Sequence, residues 1–462
     1  MNDATDPITT SRTLHATALL ARLERLPVSR PLLWARGIVG MATFFDGYTT
    51  LSIAYALPVL AHSWHLTHSH VALIISSGYF GQLIGALIFG WLAERIGRLP
   101  VLAITISIFA IMSLACIFAW NAPSLMWFRF LQGIGTGGEV PVASAYVNEF
   151  IGARRRGRFF LLYELLFLVG LVFSGLIGYA LVPSFGWKAM FIVGVIPVML
   201  VAPLSFKLPE SPRWLLEHGH EAKAEAVIAK LEQSLLRRGV TLAVPEPHLI
   251  KPAGGNRQGG WRELFSSFYA PRTLLLWVLW FGVYAVNNGL VTWLPTLYRT
   301  QFGVSVGHSI GLGFAMTGVA VCAAFVCALA IDKVGRRRWY GTALVIGALA
   351  MTGLWLQGAG SVEAVFICAT ICYASLQTIT YSLYLYSAEL YPTRLRAVGA
   401  GLGSAWLRIG SMAGPWIVGA IAMKGTIAPV FLAFAIVAAI TAGVSVRWAP
   451  ETSGRRLEDL SP

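Results

Sequence analysis

Long apolar stretches separated by short polar ones run through most of the 462-residue chain. Each stretch is about 20 residues long or longer, which is the length that an α-helix needs to cross a bilayer. The pattern predicts an all-α membrane protein with twelve transmembrane helices, arranged as two halves of six. We place the first six at 32–61, 69–93, 99–119, 124–148, 157–181 and 187–206, and the second six at 272–298, 306–331, 338–358, 362–388, 397–420 and 427–448.

The polar segments set the domain boundaries. We expect a short amphipathic helix from Leu14 to Leu26 in the N-terminal tail. Between the halves, residues 211–236 are typical of a soluble helix, because Ser211 can cap its start and Pro212 suits its first turn. The predicted units are a cytoplasmic tail at 1–31, a six-helix half at 32–206, a cytoplasmic linker at 207–271, a six-helix half at 272–448 and a cytoplasmic tail at 449–462.

A short charged turn follows the second helix of each half. In the first half Glu94 can pair with Arg98, and Gly97 permits a backbone angle that a residue with a Cβ resists. This turn and two further charged motifs recur in the same order about 240 positions later. The matched sets are Glu94, Gly97 and Arg98 with Asp332, Gly335 and Arg336; Glu149, Arg154, Arg155 and Arg156 with Glu389, Pro392, Arg394 and Arg396; and Pro209-Glu210-Ser211 with Pro450-Glu451-Thr452. Three ordered matches predict two homologous halves, an architecture typical of transporters.

The composition argues against a soluble protein. The chain is 56% hydrophobic and 12% charged, whereas a soluble protein has about twice that charged fraction. Its net charge of +14 comes largely from arginines in alternate loops, on the side where we place both termini. This distribution orients a membrane protein with those loops in the cytoplasm, so we expect contact with the lipid bilayer and no binding of nucleic acid.

Several motifs together resemble the major facilitator superfamily, in its sugar-porter and organic-ion branch. They are the two charged turns, the run from Arg129 to Gly138, the turn ending at Gly157, and Pro209-Glu210-Ser211-Pro212-Arg213-Trp214. Three others are most similar to bacterial niacin permeases and aromatic-acid symporters, namely Phe45-Asp46-Gly47-Tyr48, Gly138-Glu139-Val140-Pro141 and Thr292-Trp293-Leu294-Pro295. The resemblance implies a secondary transporter of the bacterial inner membrane, which we expect to be monomeric. It also implies that helices 1, 4, 7 and 10 line a central cavity, with helices 2, 5, 8 and 11 behind them.

Polar residues inside the predicted helices are the candidates for a substrate site. A charge at the bilayer centre costs roughly 2.5–3.5 kcal/mol on insertion scales, so such residues are retained for a reason. Arg408 has no acid within its own helical turn and can fork onto a substrate carboxylate; the alternative is a structural pair with an acid on another helix. Aromatic and amide side chains could hold a flat ring, or else pack between helices. The predicted substrate-binding residues are Arg408, Gln377, Tyr381, Tyr384, Asn287, Asn288, Tyr284, Trp280 and Trp406.

Other charged residues are candidates for proton coupling and gating. We expect Asp46 to pair with Arg129, but Thr49 stands where aromatic-acid symporters carry a second acid, so both proton symport and uniport stay open. The predicted proton-coupling residues are Asp46, Arg129, Glu139 and Glu164. The predicted gating residues are Glu94, Arg98, Asp332, Arg336, Glu149, Glu389 and Arg394, and we expect the first four to form ion pairs between the halves.

The leading hypothesis for function is transport of a small aromatic carboxylate, with nicotinate as the first candidate. The alternatives are a proton-coupled carrier of another aromatic acid or a sugar-like metabolite, and a carrier of an organic cation that binds Asp46 and Glu164. A receptor or enzyme on the same scaffold is a further alternative, but the sequence contains no nucleotide-binding or nucleophile motif. We expect no cofactor and no metal site, and we interpret the four histidines of 62–70 as part of a polar loop.

Overall fold

The computed structural model describes residues 7–150, 153–245, 261–358, 360–391, 393–422 and 427–452. The described chain is α-helical, with two short 3₁₀ turns at Ile196–Leu200 and Trp261–Phe265. In chain order the helices are α1 (Pro7–Glu24), α2 (Arg30–Ser63), α3 (His68–Ile96), α4 (Arg98–Ile117), α5 (Ala122–Glu149), α6 (Ala153–Phe185), α7 (Lys188–Val193), α8 (Val201–Lys207), α9 (Pro212–Glu217), α10 (Glu221–Leu236), α11 (Ala270–Phe302), α12 (Val306–Val334), α13 (Arg336–Leu356), α14 (Val362–Leu390), α15 (Thr393–Ala422) and α16 (Ala428–Trp448).

Twelve membrane-spanning segments form two halves of six, as predicted. The first half consists of α2 to α6 and the broken segment α7–α8, and the second half consists of α11 to α16. Nine described segments are both long and apolar enough to be recognised as spans by hydropathy alone. The other three are α2, α5 and α15, which contain Asp46, Glu139 and Arg408. Polar residues and glycines lower the hydropathy of these helices, so their membrane location depends on burial against their neighbours.

The sixth span is not the single helix that we predicted at 187–206. It consists of α7, a 3₁₀ turn at Ile196–Leu200 and α8. Pro197 lies at the start of the 3₁₀ turn and has no backbone N–H to continue the helical hydrogen-bond ladder. Proline therefore accounts for the break.

The two halves repeat the same packing. In the first half α3 packs on α5 and α2 on α6, and in the second half α12 packs on α14 and α11 on α15. The halves meet through α2 with α11, α3 with α15 and α6 with α12. We call the side that carries Gly97, Gly335 and the linker helices the linker side, and the opposite side, with the α2–α3 and α11–α12 turns, the far side.

Contacts between the halves reach the far-side ends of the helices. A Cβ added at Gly419 would lie 2.8 Å from the side chain of Ala72 in the other half. The Tyr55 hydroxyl of α2 lies 3.4 Å from the Thr317 hydroxyl of α12. The ring of His68, at the far-side start of α3, lies 5.9 Å from the Trp293 ring of α11. The far side is therefore closed by packing between the halves.

The N-terminal segment is docked on the linker, which the prediction of a tail did not include. Glu232 of α10 accepts from Arg22 at 2.7 Å and from Arg25 at 2.6 Å, and Leu19 and Leu23 are buried. Burial raises the pKa of the Glu232 carboxyl, but the hydrogen bonds and charges of the two arginines outweigh burial and hold that pKa below its ordinary value. The carboxyl is therefore charged at neutral pH, and it attaches α1 to α10.

The linker helix predicted at 211–236 is two helices, α9 and α10. The predicted cap is confirmed, because the Ser211 side chain accepts from the Trp214 backbone N–H at 3.2 Å and Pro212 begins the helix. The helix ends early because Gly219 adopts a positive φ of 75°. Residues 246–260 of the predicted linker lie outside the described residues.

Candidate substrate-binding site

A cavity of about 130 Å³ lies between the two halves. A cavity of about 150 Å³ in another protein accepts one benzene ring, so this space suits a single small ring. Helices α2, α5, α11 and α14 line it, which agrees with the expectation for helices 1, 4, 7 and 10. Helices α3, α6 and α15 line it as well, although we expected them to lie behind. The polar lining residues include Asp46, Tyr79, Gln82, Glu164, Tyr284, Asn287, Asn288, Tyr373, Gln377, Tyr381, Tyr384, Arg408 and Ser411.

Arg408 lies in the cavity wall and is 5% exposed. One terminal nitrogen donates to the Ser404 carbonyl at 2.9 Å and also contacts the Ser404 hydroxyl. The other donates at 3.3 Å to the carbonyl of Gly137, which belongs to the opposite half. Nε of Arg408 has no hydrogen-bond partner among the described residues. The guanidinium is thus held in place by these hydrogen bonds, while not all of its N–H donors have an acceptor.

Close helix packing positions Arg408. A Cβ added at Gly414 would lie 2.0 Å from the Ala285 carbonyl oxygen, and one at Gly410 would lie 2.4 Å from that of Phe281. Only glycine allows α15 to approach the α11 backbone this closely. The approach places Arg408 of α15 in the same wall as the amides of α11.

Asp46 and Glu164 share the cavity with Arg408. Asp46 is 4% exposed, and its Oδ1 has no hydrogen-bond partner among the described residues. Its charged neighbours include Arg408, Glu164 and Glu139. The structure therefore corrects the predicted pairing of Asp46 with Arg129. The sequence could not show this, because the Asp46 and Arg408 side chains come from the first and eleventh spans.

Arg129 lies outside the lining of the cavity and is held within its own half. It donates to the Gln132 side-chain oxygen at 2.6 Å and to the Thr49 carbonyl at 3.5 Å. Gln132 in turn donates to the Ser113 hydroxyl at 2.6 Å. Arg129 therefore makes its hydrogen bonds to neutral oxygens on α2 and α5, ties these helices together and does not bond to Asp46 in this conformation. Its Nε, like that of Arg408, has no hydrogen-bond partner among the described residues.

Glu139 lies one hydrogen bond away from the cavity. It is fully buried, and its Oε1 accepts from the Thr43 hydroxyl at 2.9 Å. Thr43 lines the cavity and also contacts the Tyr163 hydroxyl. The third predicted acid is therefore connected to the cavity through a hydroxyl instead of being exposed in it.

The two predicted tryptophans do not line the cavity. Trp280 is fully buried and packs 5.6 Å from the Tyr284 ring and 4.7 Å from the Tyr384 ring, measured between centroids. Its indole nitrogen donates to Ser387 at 3.2 Å. Trp406 packs at 5.3 Å against Trp277. The prediction of direct substrate contact is corrected for both, and Trp280 instead supports two tyrosines that do line the cavity.

A network of amides and hydroxyls connects the walls. Asn287 donates to the Gln377 side-chain oxygen at 2.7 Å. Asn288 donates to the Ser411 hydroxyl at 2.8 Å and accepts from the Tyr79 hydroxyl at 3.0 Å. Tyr79 belongs to the first half, so this bond joins the halves within the cavity wall.

Sequence reasoning missed the contribution of α3 to this site. Ser76, Tyr79 and Gln82 lie three residues apart on α3, and Ser76 donates to the Met412 carbonyl of α15 at 3.3 Å. Polar residues at helical spacing inside an apolar span mark a face toward other helices. That spacing was the signal that could have identified Tyr79 and Gln82.

The charged turn of the first half forms ion pairs within that half. Arg98 contacts Glu94 at 3.0 Å and Glu149 at 2.9 Å. Gly97 adopts a φ of 105°, and the Glu210 carboxylate accepts from the Leu99 backbone N–H at 3.1 Å. The turn therefore joins the ends of α3, α4 and α5 on the linker side.

The second half repeats the arrangement. Arg336 contacts Asp332 at 2.6 Å and Glu389 at 3.0 Å, and Gly335 has a φ of 91°. Glu451 accepts from the Arg336 backbone N–H at 2.9 Å. In the described residues these ion pairs lie within the halves, which corrects the prediction that they join the halves. The side chain of Arg394 lies outside the described residues.

Comparison with known proteins identifies the family. Residues 37–462 match the family described as "Sugar (and other) transporter". The chain belongs to this family of the major facilitator superfamily. The "Niacin transporter NiaP" of Acinetobacter baylyi is 34% identical over 96% of this chain and 99% of its own length. The "4-hydroxybenzoate transporter PcaK" of the same species is 32% identical over 89% of each chain.

The comparison with solved structures shows the fold of this transporter. A crystal structure of a D-xylose-proton symporter superposes with a TM-score of 0.71 and 16% identity, covering 92% of this chain and 99% of that one. At that identity the likeness concerns the arrangement of the helices alone. The chain is a membrane transporter and not an enzyme.

Proposed function

We propose that this transporter carries a small aromatic carboxylate across the bacterial inner membrane, with nicotinate as the leading substrate. The names of two relatives, a niacin transporter and a 4-hydroxybenzoate transporter, support the class, since both ligands are single aromatic rings with a carboxylate. The cavity of about 130 Å³ supports it by size. Movement would occur by alternating exposure of the cavity to the two sides of the membrane.

The observation that carries this proposal is the position of Arg408 among aromatic rings. Its guanidinium, whose Nε has no hydrogen-bond partner among the described residues, lies in a wall that also contains Tyr284 and Tyr384. A guanidinium can bind a carboxylate through two parallel hydrogen bonds, and tyrosine rings can pack on a flat ring. In this proposal Arg408 binds the carboxylate, and Tyr284, Tyr381, Tyr384 and the amides of α11 and α14 hold the ring.

The balance of charge in the cavity favours coupling to protons. Asp46 and Glu164 bring two carboxyls, and Arg408 brings one guanidinium. With all three ionised the site is net negative and repels an anion, so protonation of one acid and anion binding favour each other. We therefore infer proton symport through Asp46, the acid whose charged neighbours include Arg408, with Glu139 exchanging protons through Thr43. Asp46 and Glu164 together make an organic cation the second candidate substrate.

The distribution of arginine supports a cytoplasmic location for the linker side. Arg95, Arg98, Arg336, Arg337 and Arg338 all lie in the two turns on that side. Positively charged loops stay on the cytoplasmic side during insertion. Both termini would then be cytoplasmic, and the packed far side would face the periplasm.

A binding screen with one variant tests the proposal. Purified protein would be screened by thermal shift against nicotinate, nicotinamide, benzoate, 4-hydroxybenzoate, a shikimate-type acid and choline. We expect stabilisation by the aromatic carboxylates. The Arg408→Ala variant should lose about 2 kcal/mol or more of nicotinate binding, because it leaves a buried charge without its partner, and should lose much less for neutral nicotinamide.

Three outcomes would contradict parts of this proposal. Equal losses for nicotinate and nicotinamide would assign Arg408 a structural role. Stabilisation by choline and not by the acids would favour the cation carrier that uses Asp46 and Glu164. No response to any aromatic acid would remove the substrate class, while the assignment as a transporter would stand.

A further inference from the structure

Gln377 and Asn287 form a hydrogen-bonded pair in the cavity wall, one on α14 and the other on α11. The Asn287 amide nitrogen donates to the Gln377 carbonyl oxygen at 2.7 Å. Both side chains line the cavity, with Gln377 7% and Asn287 4% exposed. A primary amide has one accepting end and one donating end. Because Asn287 occupies the accepting end of Gln377, the NH₂ group is the end left for a ligand.

We propose that Asn287 is a positioning residue that keeps the N–H donors of Gln377 directed at the substrate ring. This inference rests on the proposed function and specifies the ring chemistry that the site selects. The preferred substrate would be an aromatic carboxylate with a hydrogen-bond acceptor in its ring, such as the nitrogen of a pyridine. Asn287 itself would act through Gln377 and would not need to touch the ligand.

The neighbouring amide shows how firmly this part of the wall is arranged. Asn288 uses both ends of its amide, accepting from Tyr79 at 3.0 Å and donating to Ser411 at 2.8 Å. Its partners come from α3 and α15, so reversing the amide would break two bonds at once. In contrast, the hydrogen bond of Gln377 in this pair uses its carbonyl oxygen, and the Asn287 amide oxygen, which has no hydrogen-bond partner among the described residues, is buried and does not present an acceptor to the cavity. The NH₂ group of Gln377 is therefore the end of this pair that is left for a ligand.

The expected preference for nicotinate follows from the group that each ligand ring places opposite the Gln377 amide nitrogen. The nitrogen of nicotinate accepts a hydrogen bond, whereas benzoate has a C–H group at that position and leaves the amide unpaired. The hydroxyl of 4-hydroxybenzoate brings a proton of its own, which needs an acceptor. Leaving a buried polar group unpaired is the main way in which polar sites reject a ligand of nearly the right shape.

The Asn287→Asp variant tests the role of Asn287. An ionised carboxylate only accepts, so at a pH where the introduced acid is charged the Gln377 amide must turn to donate to it and present its carbonyl to the cavity. Affinities for nicotinate, benzoate and 4-hydroxybenzoate would be measured by calorimetry. We expect wild-type protein to prefer nicotinate over benzoate by about tenfold, and the variant to prefer 4-hydroxybenzoate over nicotinate. The added negative charge weakens all three anions, so the readout is the ratio of affinities.

A second pair of variants tests the inference even if Asn287→Asp does not fold. Gln377→Leu removes the donor, so nicotinate affinity should fall to that of benzoate while benzoate affinity stays within about threefold. Gln357→Leu makes the same change at an exposed position at the end of α13 and should leave all three affinities unchanged.

The outcomes separate this inference from the proposed function. Wild-type affinity ratios in a folded Asn287→Asp variant, or an equal loss for all three ligands in Gln377→Leu, would overturn the positioning role alone. Failure of the wild-type protein to bind any of the three acids would overturn the proposed substrate class and this inference together.

Discussion

At the scale of single residues, Asp46, Glu164 and Arg408 place two acids and one guanidinium in the wall of one cavity. A charge inside a membrane span is costly to insert, which predicts a functional or structural role for each of the three. The same argument predicts a role for Arg129, yet its hydrogen bonds go to Gln132 and the Thr49 carbonyl within its own half. The free-energy cost of inserting a charge into the membrane is a property of a single residue. The partner of that charge depends on how each helix is rotated about its own axis in the packed bundle, which the local sequence does not encode.

The Asp46→Asn variant tests the proton role at this scale. Removing the carboxylate leaves Arg408 and takes away one acid that could carry a proton, so coupling should be lost while the substrate can still bind. In proteoliposomes we expect no accumulation of nicotinate against a gradient, together with counterflow exchange near the wild-type rate. Glu363→Gln, an exposed change in the first turn of α14, serves as the control. Uptake by wild-type protein that is unaffected by pH and by an uncoupler would exclude the proton role.

At the scale of elements, glycines determine how closely the helices pack. A Cβ added at Gly81 of α3 would lie 2.0 Å from the Phe130 carbonyl oxygen of α5, and one at Gly133 would lie 2.1 Å from that of Gly78. The sequence showed the glycines of the fourth span as part of a motif, but not which helix they face. Packing of α3 on α5 is what brings Tyr79 and Gln82 into the cavity wall.

The Gly81→Ala variant tests this close contact. The added methyl group cannot fit without moving the α5 backbone, and overpacking of this kind costs about 1–3 kcal/mol. Thermal unfolding in detergent should show a lower midpoint, and nicotinate affinity should fall because Tyr79 moves with α3. Gly90→Ala lies on the same helix, where a Cβ would meet nothing within 4 Å, and should leave both quantities unchanged or raise stability slightly. Equal midpoints for the two variants would show that the contact relaxes without cost.

At the scale of the whole molecule, duplication was readable from sequence and the interface between the halves was not. Repeated charged turns predicted two similar halves, and the packing of α3 on α5 and α12 on α14 repeats as a duplication requires. Alternation needs contacts that break, which predicts gating ion pairs between the halves. They lie within the halves here, and packing between the halves on the far side closes that entrance instead. Which contacts are made depends on conformation, and one sequence must encode at least two.

Gly175 of α6 lies where the far-side contact can be tested. A Cβ there would lie 2.9 Å from the Phe314 ring of α12 and 2.9 Å from the Tyr55 hydroxyl. A leucine would push α6 away from α12 and disfavour the closed far side, so the population that can release substrate on the linker side should shrink. In proteoliposomes, Gly175→Leu should reduce net uptake by at least about tenfold, while binding of nicotinate to purified protein stays measurable.

Gly318→Leu is the matched control for this change. Gly318 lies on α12, one turn from Phe314, but a Cβ there would meet nothing within 4 Å. The same increase in volume should therefore leave uptake at the wild-type rate. Loss of both binding and uptake in Gly175→Leu would mean that the variant is misfolded, and thermal unfolding would reveal this. Normal uptake in a folded Gly175→Leu variant would show that the α6–α12 contact does not have to close for transport. Closure of the far side would then have to depend on the contacts of α2 with α11 and of α3 with α15.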